Sequence, residues 1–165
     1  MNVFFLRHGE AGRRITILSK DFERSLTASG IAEIEEIAES MKDMGLEFDK
    51  IGSSPLARAR ETAEIVSKVY KKEGKLEMWD ELKPEENRLD LYRRLSKMKQ
   101  DADVLLVGHD PFLTTVIGEI ISGSLSVKIS LKKAGLARVQ IYSFTPKASG
   151  ELRWLLTPKQ IKNMG

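Results

Sequence analysis

Both histidines of this 165-residue chain stand just after short apolar runs: His8 after Val3-Phe4-Phe5-Leu6 and Arg7, His109 after Val104-Leu105-Leu106-Val107 and a glycine. Each run reads as a buried strand. Residues just past such a strand in an open α/β sheet lie at its carboxyl end, where ligands bind. Two imidazoles placed there point to histidine chemistry, because imidazole changes charge near neutral pH. Arg7 adjoins the first ring, and Arg58 falls in the first turn of a helix after another short strand. Guanidinium forks match phosphate oxygens bidentately and stay charged at any cellular pH, so two of them make a clamp for a dianion. Arg58 near a helix N-terminus adds its charge to the helix dipole. An imidazole whose far nitrogen donates to a backbone carbonyl presents a neutral lone pair on the near one, and that lone pair can attack phosphorus. His8 then takes the phosphoryl group and water removes it, while His109, if protonated, neutralises charge on the equatorial oxygens.

The elements that must position these groups are legible as periodicity and punctuation. Residues 2–6 and 103–107 read as buried strands, and 49–53 as a shorter one. Thr27 caps a helix running to about Met44, with Ile31, Ile34, Ile37, Ala38 and Met41 on one face and Gly45 as its stop. Ser54-Pro55 reads as cap and first position of a helix to about Lys71. A helix is expected over about Arg88–Lys99, and another opens at Pro111. Residues 135–144 and 152–156 read as two closing strands joined by the 146–150 turn. Strands alternating with helices predict a largely parallel sheet covered on both faces, in one domain spanning residues 1–165.

Composition narrows the function. The 27 basic and 24 acidic residues are dispersed, with Arg13-Arg14, Lys71-Lys72, Arg93-Arg94 and Lys132-Lys133 as scattered pairs. A nucleic-acid footprint is more concentrated than that. No stretch is long and apolar enough to span a membrane, and Arg7 interrupts the first apolar run too early for a signal peptide, so the expectation is a cytoplasmic protein with neither nucleic-acid nor membrane partners. With no cysteine, disulfides, thiolate nucleophiles and cysteine metal sites are excluded together.

Three segments together carry a family resemblance: Leu6-Arg7-His8-Gly9-Glu10, the stretch Ser54-Pro55-Leu56-Ala57-Arg58 continuing to Ala63, and Val107-Gly108-His109-Asp110-Pro111. In order, spacing and overall length the chain resembles the histidine phosphatase superfamily, of phosphoglycerate mutase-like fold, and its small SixA-like phosphohistidine phosphatase branch. The resemblance implies an α/β/α sandwich with a mostly parallel sheet and neither metal nor cofactor. It implies His8 as the phospho-accepting nucleophile, Arg7 and Arg58 as phosphate ligands, His109 as the second pocket histidine, and Gly9 beside them at the substrate. It also implies a phosphorylated protein of the histidine phosphotransfer type, or a small phosphate ester, as substrate. Leu26-Thr27 with Gly30 is similar to the family's segment before its first long helix, although Ser25 stands where a proline is common.

No segment clearly matches the carboxylic acid by which larger relatives protonate a leaving oxygen. Glu81 is the first candidate, followed by Asp110 and Glu10. A pocket without a strong acid favours a leaving imidazole, of ordinary pKa roughly 6.5, over an alkoxide. Residues 11–25, with Arg13, Arg14, Lys20, Asp21 and Arg24, read equally well as a substrate-contacting loop and as a solvated excursion. Two other classes compete: a metallohydrolase using His8, His109 and Asp110, and a non-catalytic phosphate-binding module. The arginines oppose the first, since cationic clamps repel a divalent ion. A mutase is the least favoured variant, since it needs the acid.

Overall fold

The computed structural model describes residues 1–165, built on one six-stranded sheet. Strands β1 (Asn2–Arg7), β2 (Lys50–Ser53), β3 (Leu76–Met78) and β4 (Asp103–Gly108) alternate with helices α1 (Leu18–Phe22), α2 (Ala28–Asp43), α3 (Ala57–Val69) and α4 (Arg88–Leu95). Helix α5 (Phe112–Ser122), the hairpin β5 (Leu136–Ser143) and β6 (Ser149–Leu156), and helix α6 (Pro158–Met164) complete the chain. The strand order is β3-β2-β4-β1-β5-β6. The first four are mutually parallel, and β5 and β6 extend the sheet antiparallel beyond β1. The layered, mostly parallel α/β architecture expected from the sequence is the one found.

The period-two alternation of a strand explains why the central runs are continuously apolar. Val3 and Phe5 of β1, with Val104 and Leu106 of β4, join the cluster under α4 and α5, while Phe4, Leu6, Leu105 and Val107 join the opposite one under α2, α3 and α6. Both faces are buried, so every position of these strands must be apolar. Gly52 shows how tight this packing is. A Cβ there would lie 2.7 Å from the Trp79 ring, which is 2 % exposed and has the Arg94 guanidinium 4.8 Å over it.

Register sets the site. Leu6 pairs with Val107 and Arg7 with Gly108 across the parallel β1–β4 ladder, and the His8 amide donates to the Gly108 carbonyl at 3.1 Å. His8 and His109 therefore emerge side by side, one step past the paired ends of adjacent strands.

Two helix boundaries differ from the sequence expectation, and two helices were not expected. Helix α3 begins at Ala57 with Leu56 at its cap, and the Ser54 hydroxyl, besides accepting the Leu56 amide at 3.3 Å, reaches His109. Helix α4 stops at Leu95 rather than near Lys99. The short α1 and the C-terminal α6 were not foreseen, although Thr157, Pro158 and Gln160 form a full capping box at the start of α6. No helix is long and apolar enough to cross a membrane.

Replacing Gly52 by Ala forces a methyl group into the Trp79 ring. Urea unfolding should show a loss of about 1–3 kcal/mol, the usual penalty for overpacking, with an altered Trp79 emission. Unchanged stability and emission would contradict the packing described.

Candidate active site

The two rings sit on a cleft of about 1240 Å³ whose lining includes Arg7, His8, Arg58 and His109. His8 is 6 % exposed and His109 3 %, and their ring centroids lie 5.2 Å apart. The Nδ1 of His8 is 2.7 Å from the Gly9 carbonyl, so Nδ1 carries the proton and donates it, leaving the lone pair on Nε2. Burial pushes His8 down to about 4; the Gly9 bond opposes this, and the charges of Arg58, Arg7 and Arg24 reinforce it. His109 is pushed down to about 2, by burial first and then by His8, Arg58 and Arg24. In the free protein both rings are neutral at physiological pH, and His8 presents a bare Nε2 lone pair without needing a base to deprotonate it. The cationic His109 considered from the sequence is thus not the state of the empty cleft.

Each arginine is held by backbone and by a carboxylate. Arg58 Nη1 donates to the Asp21 carbonyl at 3.0 Å, and its Nη2 lies 3.5 Å from Asp21 Oδ2. Arg7 Nη1 donates to the Leu131 carbonyl at 2.9 Å and lies 3.9 Å from Asp110 Oδ2. The Nε atoms of both arginines are buried without a partner, leaving each fork a free donor. Arg58 is the second residue of α3, and α5 also opens on the cleft through Pro111 and Phe112, so two helix N-termini add favourable potential for an anion.

The structure separates the expected residues. Arg7, His8, Arg58 and His109 come together. Gly9 does not offer its amide to a ligand: its N–H donates to Thr62 Oγ at 3.1 Å and its carbonyl receives His8. Its smallness serves packing, since a Cβ would lie 2.7 Å from Ile34 Cγ1. Glu81 is displaced as proton donor. It lies outside the cleft lining, and its Oε1 accepts from Arg94 Nε at 2.9 Å, because the 80–82 turn directs it toward the Trp79–Arg94 stack. Asp110 lines the cleft but is committed to Thr114, at 2.6 Å, and to Arg7. Glu10 is outside the lining and accepts from the Ser29 hydroxyl at 3.0 Å. With Asp110 so placed, the His8, His109 and Asp110 metal set does not assemble, and no group of three His, Asp or Glu side chains is positioned to hold a metal ion.

Four residues at the site have roles that the sequence reading did not assign. Asp21 organises residues 11–25: its carboxylate accepts from the Ile15 amide at 3.2 Å and from Arg24 Nε at 2.8 Å while facing Arg58. That segment lines the cleft through Arg13, Arg14, Leu18 and Phe22 among others, so the substrate-facing alternative is the one the structure favours. Arg24, known from the sequence only as one charge in a run, bonds the Gly12 carbonyl at 2.8 Å and lines the same wall. Thr62 ties Gly9 to α3 by donating to the Arg58 carbonyl at 2.7 Å. Ser54, read as a helix cap, also lies 2.8 Å from His109 Nε2.

Comparison with known proteins agrees with this geometry. The model for the histidine phosphatase superfamily (branch 1) matches residues 3–86. A protein of Picosynechococcus sp. with no assigned function is 32 % identical over 168 residues, covering 96 % of this chain and 98 % of that one. The phosphohistidine phosphatase SixA of Escherichia coli is 25 % identical over 164 residues, covering 98 % and 97 %. A solved structure of the protein histidine phosphatase SixA complexed with tungstate superposes with a TM-score of 0.83 at 25 % identity, covering 96 % and 98 %.

Two measurements check the site. In a pH titration followed by NMR, the His8 ring should stay neutral from pH 8 to about 5 and protonate with a midpoint of about 4; a midpoint near the free-imidazole value of about 6.5 would sink the electrostatic account. The sign carries over to stability. The unfolded chain binds the extra proton between those two values, so the stability contributed by neutral His8 is intact above about pH 6.5 and declines as pH falls toward 4. Glu81→Gln should leave phosphatase turnover within about twofold of the parent, whereas loss of a true general acid lowers it by about 10²–10⁴.

Proposed function

The chain belongs to the histidine phosphatase superfamily and is a phosphatase, and we propose that it is a single catalytic domain of residues 1–165 that hydrolyses phosphohistidine in a partner protein. The reaction proceeds without metal through a covalent intermediate on His8. The observation that carries the mechanism is the 2.7 Å bond from His8 Nδ1 to the Gly9 carbonyl, which fixes the lone pair on Nε2 in a ring kept neutral by burial. Arg7 and Arg58 receive the phosphoryl oxygens. The Nε2 lone pair forms a bond to phosphorus as the bond to the leaving nitrogen breaks, and the substrate ring, already protonated from solvent on its distal nitrogen, departs as neutral imidazole. Water then attacks phospho-His8, releasing inorganic phosphate and restoring the neutral ring.

Phosphohistidine is favoured as substrate because the acids nearest the rings are already engaged. Asp21 is bound with Arg24 and Arg58, Asp110 with Thr114 and Arg7, and neither is free to protonate an alkoxide. A leaving imidazole has far less need of one. The names of two relatives, phosphohistidine phosphatase and protein histidine phosphatase, support the same substrate class. A small phosphate ester is the second reading, favoured by Glu85 and Glu86, exposed carboxylates on the cleft lining.

His8→Ala should reduce turnover by at least about 10⁴-fold, the scale seen when a covalent nucleophile is removed. The parent protein, quenched during turnover, should carry acid-labile phosphate on His8, and exhaustive chelation should leave its rate unchanged. Full turnover by His8→Ala refutes the mechanism. Side-by-side kcat/KM values on a phosphohistidine protein and on alkyl phosphates decide the substrate: a preference for alkyl phosphates establishes the second reading.

A further inference from the structure

We infer that Ser54 is a positioning residue that fixes His109 as its neutral Nδ1–H tautomer, so that the second histidine serves the phosphoryl group as an uncharged hydrogen-bond donor. The inference rests on the phosphatase reading above only for what His109 donates to; the tautomer follows from the hydrogen-bond inventory of Ser54.

Ser54 is wholly buried and its backbone is anchored, its amide donating to the Val107 carbonyl at 3.0 Å and its carbonyl receiving the Ser53 hydroxyl at 3.0 Å. Its Oγ accepts the Leu56 amide at 3.3 Å and lies 2.8 Å from His109 Nε2. An amide can only donate, so the Leu56 bond occupies an oxygen lone pair and leaves the hydroxyl proton in need of an acceptor. Of the groups bonded to Ser54 Oγ, only the bare Nε2 can accept it. The opposite tautomer would turn both neighbours into donors to one oxygen, stranding the hydroxyl proton and leaving Nδ1 an unmet acceptor as well: two unmet groups in the interior, against the single Nδ1–H of the favoured tautomer.

The tautomer puts the ring proton on Nδ1, which is buried and has no partner in the protein. It is a donor with nothing to donate to. The reaction supplies the acceptor, because the His8 ring lies 5.2 Å away and its Nε2 takes the phosphoryl group. A donor beside the nitrogen that phosphorus joins stabilises the transferring phosphoryl group more than the resting substrate, so its loss is read mainly in kcat. Burial and the neighbouring cations keep the same ring from carrying a second proton while the cleft is empty.

The decisive experiment needs no substrate and no variant. A long-range nitrogen–proton NMR spectrum of ¹⁵N-histidine-labelled parent protein at pH 7 should show His109 with a protonated-type Nδ1 and a bare Nε2. A protonated Nε2 with bare Nδ1, or two protonated nitrogens, overturns the inference. Ser54→Ala should erase this preference and lower kcat on p-nitrophenyl phosphate by at least about tenfold, with KM within about twofold. Ser54→Thr, which keeps the hydroxyl, should restore both. If Ser54→Ala keeps the Nδ1–H tautomer and full kcat, Ser54 has no positioning role. Failure of the phosphohistidine mechanism would surface separately, as turnover by His8→Ala.

Discussion

Two uncharged imidazoles are held against two fixed cations, nearly out of reach of water, and the chemistry is set by that arrangement. Burial removes the hydration that a charged ring would need, and the guanidinium groups raise the local potential further, so both rings shed their protons. The empty cleft is left with unmet donors: the Nε atoms of Arg7 and Arg58 and the Nδ1 of His109. Each is a donor of the kind that phosphoryl oxygens accept. Asp21 and Asp110 orient the cations, their carboxylates lying 3.5 Å from Arg58 and 3.9 Å from Arg7.

The fold divides this site into a rigid floor and a rim. The floor is backbone: the β1–β4 register places His8 beside His109, and Thr62 bridges Gly9 and the Arg58 carbonyl. Helix α2 is seated so closely on the chain after His8 that a Cβ at Gly30 would lie 2.2 Å from the Glu10 carbonyl oxygen. Little here can shift without moving the nucleophile. The rim is different. Helix α1 buries none of its residues and leaves Leu18 87 % exposed, so the segment hangs on the polar bonds of Asp21 and Arg24. Chemistry on the rigid part and recognition on the adaptable part is the usual division between scaffold and loop.

What the sequence disclosed and what it hid divide along the same physical line. Local rules located β1, β4 and α2, the Thr27 cap and the Gly45 stop at φ +73°, because periodicity and capping act within a few residues. The four basic and imidazole groups were visible because each follows or opens an element. Ser54 was read only as a cap; its Oγ does accept the Leu56 amide ahead of α3, but only the approach of β4 shows that the hydroxyl also meets His109. Asp21, lost in a run of charges, bonds residues that its sequence pattern does not single out. Glu81 had the right chemistry in the right stretch, yet Arg94, thirteen positions on, claimed it. Helix α6 was the one avoidable omission, since Thr157, Pro158 and Gln160 spell its start in plain sequence.

Keeping His109 neutral also settles a balance between holding and releasing the phosphoryl group. Arg7 and Arg58 already supply two positive charges to a dianion, and a third from an imidazolium would stabilise bound substrate and phospho-His8 as much as the transition state between them. Uniform stabilisation of that kind deepens a well without lowering the barrier out of it. A mutase gains from a long-lived phosphoenzyme; a hydrolase must lose it to water on every cycle. A neutral Nδ1–H gives direction to one phosphoryl oxygen while adding no net charge to the intermediate. The same reasoning bears on the leaving group: if Glu85 and Glu86 at the cleft mouth do not act as acids, such a site would give its best rates to groups that depart with little help. An imidazole bonded through nitrogen to phosphorus is such a group, so on the proposed reading an engaged set of acids and a neutral second histidine would both favour it.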